Sequence, residues 1–402
     1  MFIHLRQSSG KTKEYLKNYN YKIMSRKLKI CFVQAFTYAV FNPKSTAKIG
    51  GAEVDLYNIA MELSKDKNFE VYFLVADFGQ EEVEIYHNIK IIKGHSQEKS
   101  FLNYFSAFFK FFRRLAQINA DIYFTANLSK YVGFTNLYCK LTGKIHIHRT
   151  EHQHQVNKKI ILKHIRRGSS RYLLFFLGYI NVDHIVVQNE EDRDMLKKTF
   201  KYPSNVIRNS YPIQKLDSIN RDFILWVARC EKWKRPEIFI KLAGAFPKEN
   251  FIMIMPIADD LKFFEYIKNQ AKYVSNLQFI PGVPFSDVEA YYRNAKVFVN
   301  TSLAEGFPNS FNQAMNCSTP LLSLNINPDD FIKKNEVGLY CNNNFVELKE
   351  NLSHLLSNKQ LWEKFSENAY KYVLNEMNIE KAIIKWKKIF YYLYNKKRKK
   401  FN

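Results

Sequence analysis

Residues 296–314 read KVFVNTSLAEGFPNSFNQA. The apolar run VFV is short enough for a buried strand, and it stops at the small polar pair Thr301-Ser302. Pro308 then falls near the first position of a helix, where a missing amide hydrogen costs nothing, and Asn309 and Ser310 are residue types that cap such a start. Strand, loop and helix N-terminus in this order make half of a βαβ unit. The same rhythm runs outward in both directions. Upstream lie KICFVQ (29–34), EVYFLVA (70–76), NIKIIK (88–93), DIYFTA (121–126), KIHIHR (144–149) and HIVVQN (184–189); nearer lie FILWVA (223–228), NFIMIM (250–255), NLQFIP (276–281) and PLLSL (320–324). Helical periodicity fills the gaps, and the stretch 207–218, with its polar clusters and Pro212, reads as a linker. The expectation is an α/β protein of two doubly wound domains, whose ligands bind at loops beyond the strand carboxyl ends.

Composition agrees with that size. A chain of 402 residues exceeds one ordinary core, and 46% hydrophobic with 25% charged residues excludes collagen-like and disordered classes. Cys31, Cys139, Cys230, Cys317 and Cys341 are odd in number and lack a C-x-x-C spacing, which fits a reducing cytoplasm better than a disulfide framework or zinc site. The basic N-terminal arm, 1–27, has no apolar core of a secretory signal, and the longest apolar run, 172–180, is about half the ~20 residues needed to cross a bilayer. The formal charge of +23 calls for an anionic partner or reflects a coding bias toward Lys. Helix-turn-helix and RNP patterns are missing from the sequence, so nucleic acid is not the expected partner.

Three loops can carry chemistry. Gly50-Gly51-Ala52-Glu53 opens a helix after the first strand, and paired glycines there let an anion approach the backbone. VARCEKWKRP, 227–236, places Arg229 and Lys234 after a strand, a fork of donors and a point charge suited to a diphosphate; a solvated basic loop is the plain alternative. Glu305 stands before a helix N-terminus whose amides suit a phosphate. Its carboxylate is then better spent on sugar hydroxyls, with simple helix capping as the other reading.

These three signals, in this order and spacing, resemble the family 4-type retaining glycosyltransferases of the GT-B fold, over residues 28 to about 390. The resemblance implies two Rossmann-like domains facing a cleft: 28–210 on the acceptor side, completed by a C-terminal helix at 378–398, and 211–377 on the nucleotide-sugar side. It implies that Arg229 and Lys234, with Gly51, Asn309 and Ser310, hold the donor diphosphate. Glu305 would act at the transferred sugar, Gly306 and Phe307 would bind it, and Val283 and Gln313 would meet the nucleoside. The family usually has a second Glu where this chain has Gln313, whose amide oxygen still accepts from a ribose hydroxyl. Similar enzymes place a histidine at a first-domain strand end. KIHIHRTEHQHQ offers His146, His148, His152 and His154; His152 is taken as catalytic, with Glu151 and His154 beside it.

The reaction implied by the resemblance is a sugar transfer from a nucleoside diphosphate to a hydroxyl, with retention and without a metal or other cofactor, in surface polysaccharide or glycolipid synthesis. Asp259-Asp260 and Asp329-Asp330 read as first-turn helix acids rather than metal ligands. The acceptor is expected to be lipid-linked or a saccharide, and the protein cytoplasmic or peripheral on the inner face of the plasma membrane. Two stretches bear on an anionic membrane surface: FLNYFSAFFKFFRRLA, 101–116, either interfacial or buried, and the tail from Lys381, with Trp386, Ile389 and Tyr392 in helical spacing before KKRKK. The alternatives are another GT-B enzyme, such as a nucleotide-sugar epimerase, and a non-enzymatic basic protein that binds lipid or nucleic acid.

Overall fold

The computed structural model describes residues 26–42, 45, 50–94, 101–213, 221–258, 260–284 and 287–399, with side chains from 107 onward in the segment that begins at 101. Most of the basic arm, Asp259 and the last lysine of the tail lie outside the described residues.

Two sheets form. The first comprises β1 (Leu28–Val33), β2 (Phe69–Val75), β3 (Val83–Tyr86), β4 (Ile89–Lys93), β5 (Ile122–Ala126), β6 (Ile145–Arg149), β7 (His184–Val187) and β8 (Ser204–Val206), in the order β3-β4-β2-β1-β5-β6-β7-β8. Among the described residues only β3 runs antiparallel, on β4. The second comprises β9 (Phe223–Val227), β10 (Asn250–Ile254), β11 (Leu277–Ile280), β12 (Ala295–Asn300), β13 (Leu321–Ser323) and β14 (Gly338–Tyr340), all parallel, in the order β11-β10-β9-β12-β13-β14. Strands covered on both faces read as unbroken apolar runs, which is why the central ones are visible in the sequence. Three strands carry no such signal. β3 alternates exposed and half-buried residues after a polar turn, β8 is the polar tripeptide SNV, and β14 has only three residues.

The helices used below are α1 (Gly51–Ser64), α2 (Phe101–Ile118), α3 (Lys130–Thr142), α4 (Lys158–Arg166), α5 (Ser170–Tyr179), α6 (Glu190–Phe200), α7 (Asn309–Asn316) and α8 (Ile379–Arg398). On one face of the first sheet α1 and α8 share a core with β1, β2 and β5; α2, α3 and α5 pack on the other. α8 buries Trp386, Ile389 and Phe390 there, with Trp386 edge-on to Phe124 at 5.1 Å. The chain therefore returns from the second domain to finish the core of the first, and a bridge between Tyr211 and Asn378 ties the outgoing and returning segments.

Strand order reverses direction between β1 and β5 in the first sheet and between β9 and β12 in the second. Adjacent loops at such a reversal leave to opposite faces and open a crevice. The GGAE loop follows β1, the Arg229–Lys234 loop follows β9, and the Glu305 loop follows β12. All three sequence motifs thus sit at topological switch points.

Candidate active site

The C-terminal wall is built from the loops after β9 and β12. Thr301 joins them: its hydroxyl donates to the Lys234 carbonyl at 2.6 Å and accepts from the indole of Trp226 at 2.9 Å. Leu303 N donates to the Trp233 carbonyl at 2.8 Å. The cations of the first loop divide by role. Arg235 donates to the Thr301 carbonyl at 2.7 Å and is part of the scaffold, and exposed Lys232 lies 3.4 Å from Asp260. Lys234 is largely buried, lies 4.0 Å from the centre of the Trp233 ring and forms an ion pair with Glu305. Arg229 stays open to solvent, 4.0 Å from Glu231 and facing Gly50 of the other domain. Two cations with different surroundings therefore converge on the cleft.

Glu305 is not a capping anion, since its partner is Lys234. The expected caps are also corrected. Pro308, not Asn309 or Ser310, holds the N-cap position of α7, and no side chain caps the helix. Asn309 instead turns toward the first domain, and Ser310 is half-buried in the first turn. Gln313 lies one turn after Asn309 and is half-buried. Val283, just beyond β11, packs against the apolar cluster that holds Phe307 and Phe311.

The N-terminal wall is a buried charge network. Arg149, fully buried at the end of β6, lies 3.0 Å from Asp55 on α1 and 3.1 Å from Glu151, and donates to Asn209. The carboxylate contacts are ion pairs by distance rather than aligned hydrogen bonds. The guanidinium also covers the Trp386 ring at 5.7 Å. Glu53 is buried on the same helix as Asp55 and accepts from Gln34 at 2.6 Å. Burial pushes the carboxyls of Glu53, Asp55 and Glu151 upward, opposed by Arg149 for the last two and by Arg229 for Glu53. A buried carboxylate is tolerated only with a compensating charge, so one guanidinium here steadies two of three acids.

This wall grips the Glu305 loop. Gln188 donates to Glu151 at 2.5 Å, and its carbonyl oxygen accepts from Phe307 N at 3.0 Å. Asn209 donates to the Phe307 carbonyl at 3.2 Å and to the Asn309 side chain at 2.5 Å, while Asn312 donates to the Asn209 carbonyl at 2.6 Å. Gly306 is buried against Glu151, whose carbonyl oxygen would be 3.0 Å from a Cβ at that position. Gly51 faces the Asn309 amide so closely that a Cβ would come within 2.3 Å of Nδ2. Asp329 lies, with Asp330, in the first turn of its own short 3-10 helix, Pro328–Asp330, as expected, and is a further tie: it accepts from the N-terminal amides of α6 at 3.0 Å and pairs with Arg208, so it also caps a helix of the other domain.

The four histidines separate clearly. His146 and His148 are fully buried and share Thr125, at 2.8 and 2.9 Å, and burial drives both rings downward, His148 to about 3. His154 is exposed. His152 lies past the strand end, accepts from His154 N at 3.2 Å and meets Trp233 edge-on at 5.9 Å. Burial, helped by His154 and Lys234, pushes its ring down to about 4, so it is neutral at pH 7.

The structure thus brings Gly51, His152, Arg229, Lys234, Glu305, Gly306, Phe307 and Asn309 to the facing walls. Arg149, Gln188 and Asp55 are additions that the motifs do not single out, and Asn209, without a role in the sequence reading, proves to be a tie between the walls. Their signal is faint but present: a polar residue closing an apolar strand, as in KIHIHR and HIVVQN, sits where doubly wound sheets bind ligands.

The family model for Glycosyltransferase Family 4 matches residues 49–214, and that for Glycosyl transferases group 1 matches residues 212–372. The chain belongs to the group 1 glycosyltransferases. It is 23% identical over 394 residues to an uncharacterised glycosyltransferase of Methanocaldococcus jannaschii, covering 86% of this chain and 96% of that protein. Among solved structures, a sucrose-phosphate synthase of Thermosynechococcus elongatus superposes with TM-score 0.72 at 14% identity over 92% of this chain and 100% of that one. A trehalose-6-phosphate protein of E. coli, solved with UDP-2-fluoro glucose, gives 0.65 at 11% identity over 90% and 98%. The fold is GT-B and the protein a glycosyltransferase.

Proposed function

We propose that this glycosyltransferase moves a sugar from a nucleoside diphosphate to an acceptor hydroxyl with retention at the anomeric carbon. The observation that carries the reading is the convergence of Arg229, Lys234 and the α7 N-terminus at one switch point, with Glu305 paired to Lys234. The chemical need is to stabilise charge that develops on the diphosphate as the bond to C1 breaks. Fixed cations and helix amides do this without reorganising. Binding of the diphosphate recruits Lys234 from Glu305, and the freed carboxylate turns to sugar hydroxyls. In a same-face transfer the acceptor oxygen bonds to C1 and its proton passes to the adjacent departing phosphate oxygen, so atoms and charge balance. His152 is neutral at pH 7 and its Nδ1 already accepts from His154 N, so its Nε2–H donates a hydrogen bond to a sugar hydroxyl rather than adding a third cation. Gly306 and Phe307 line the sugar, and Val283 and Gln313 the nucleoside. The expectation of a metal-independent step is part of the proposal. The acceptor is a saccharide or a lipid-linked molecule, and a lipid-linked acceptor would be met at the cytoplasmic face of the membrane.

Thermal denaturation with UDP, GDP and ADP and their sugars tests the donor. Saturation at about a hundred times Kd contributes ~2.7 kcal/mol. A cognate nucleotide raises Tm, and release of the nucleoside diphosphate with an acceptor continues in EDTA. No shift with any nucleotide removes the reading; loss of turnover in EDTA removes the metal-independent step. NMR of the product anomeric configuration decides retention.

A further inference from the structure

The charge of +23 is not spread evenly. Residues 101–181 hold thirteen Lys and Arg but only two acids, Asp121 and Glu151. Neither acid reaches the surface of the helices in that segment: Asp121 is buried at the start of β5 and paired with Arg26, and Glu151 belongs to the cleft. The helices α2, α3, α4 and α5 therefore carry no carboxylate at all.

These four helices form one continuous layer. α3 and α5 touch backbone to backbone: a Cβ on Gly133 would be 2.4 Å from the Leu174 carbonyl oxygen, and one on Gly178 would be 2.6 Å from Gly133 Cα. α2 packs beside α3 through Phe108 on Phe134 at 5.1 Å, and α4 beside α5 through His164 stacked on Tyr172 at 4.2 Å. The inner side is ordinary core, with Phe111, Leu115, Val132, Ile161 and Phe175 buried. The outer side is not ordinary. Leu137 and Leu141 repeat at i, i+4 on α3; Leu173, Leu177 and Ile180 repeat at i, i+4, i+7 along α5 and its C-cap; and Phe109 projects from α2. All six are between 40% and 73% exposed. Lys163, Arg166 and Arg167 are exposed around them, and Lys140 is exposed but pairs with Asp183 at 3.9 Å.

We propose that this layer lies on an anionic lipid bilayer, with the six apolar side chains in the headgroup boundary and Lys163, Arg166 and Arg167 at lipid phosphates. The inference deepens the membrane association proposed above and rests on it for its biological setting, but not on the identity of the donor. Two aliphatic ridges flanked by cations, on helices that carry no acid of their own and meet carboxylates only at the margins, where Asp183 pairs with Lys140 and Glu82 with Arg114, match an interfacial surface. A second copy would bring the same excess of positive charge against itself, which opposes a dimer through this face. Among the described residues no helix is long and apolar enough to cross a membrane, so the layer lies on the bilayer. The tail helix α8 packs on the opposite face of the sheet, which separates this surface from the one expected at the C-terminus.

Co-sedimentation of the full chain with vesicles tests the assignment. Binding to mixed phosphatidylglycerol–phosphatidylcholine vesicles is expected to be at least about tenfold tighter than to pure phosphatidylcholine and to weaken with salt. The triple variant L141S/L177S/I180S, altered only at exposed positions, loses about tenfold or more on the mixed vesicles. R166E/R167E loses a similar factor on the mixed vesicles and little on neutral ones. Both variants keep the wild-type Tm and the nucleotide-induced shift. Unchanged vesicle binding by both variants overturns the proposal. So does a change of oligomeric state in sedimentation velocity without a change in lipid binding, which makes the face a contact between copies. A protein that binds vesicles through these residues but answers to no nucleotide leaves the surface standing and removes the donor reading.

Discussion

The two walls of the cleft solve the same electrostatic problem differently. On the C-terminal wall Arg229 and Lys234 lie five residues apart on one loop, and the acid that holds Lys234 comes from the neighbouring loop. These side chains can exchange partners when an anion arrives. On the N-terminal wall Arg149 is fully buried and already committed to Asp55, Glu151 and Asn209. It cannot exchange partners without leaving buried charge. The first wall is built to bind and the second to hold, and Gln188 and Asn209 join the two at Phe307 and Asn309.

The largest expected effect tests the holding wall. Arg149→Met leaves Asp55 and Glu151 buried without their cation, and breaking a buried pair in this way costs about 3–5 kcal/mol. Urea denaturation should show that loss. Adding Asp55→Asn and Glu151→Gln to Arg149→Met should return a good part of it, because neutral amides tolerate burial better. A triple variant no more stable than Arg149→Met would mean that Arg149 acts through packing on Trp386 rather than through charge.

The binding wall answers in turnover rather than stability. Glu305→Ala and Arg229→Ala should each lower turnover by about 10²–10³ while Tm stays near wild type, the size expected for one preorganised group facing developing charge. Nucleoside diphosphate release from donor and acceptor measures it. Near-normal rates in either variant would break the distinction between the walls.

The joint comes next in size. Gln188→Ala removes the acceptor of Phe307 N and the donor to Glu151, at about 1–3 kcal/mol for buried groups left unpaired. Its effect should appear in both urea stability and the KM for donor. Gly51→Ala forces a methyl against the Asn309 amide and should raise KM with little change in the unfolding midpoint of either domain. Asn309→Gly in the same chain should relieve that clash. Failure of the second change to help would mean that the methyl disturbs α1 itself.

How much is legible in the sequence depends on how far apart the cooperating residues are. The long strands β1, β2, β9 and β12 are unbroken apolar runs, and residues 301–314 contain a whole motif, so both can be read locally. The short edge strands β3, β8 and β14 lack that signal, because an edge is half exposed and three residues show no period. The Arg149 network draws on β6, α1, the end of β7 and the segment after β8, and its link from Ser210 N to Asp55 spans 155 residues. No window of sequence contains it. The second role of Asp329 is hidden for the same reason: its place in its own first turn is local, but the other helix it caps is 138 residues away.

The smallest effect concerns His152, which stands where the walls meet. Its folded-state value of about 4 lies below the ordinary ~6.5 of a free histidine, so between these values the unfolded chain binds a proton that the native chain refuses. Its contribution to stability is therefore present above pH ~6.5 and is lost as pH falls toward 4. Glu53, Asp55 and Glu151, shifted upward by burial, act in the opposite sense: their native carboxyls keep protons that the unfolded chain has released, so stability declines as pH rises above the ordinary carboxylate range. The His152→Gln variant should be flatter than wild type between about pH 4 and 6.5 in urea denaturation, while Glu151→Gln should be flatter between about pH 4.5 and 8. A His152→Gln profile that matches wild type would place the ring in water and away from Trp233, and would detach it from the cleft.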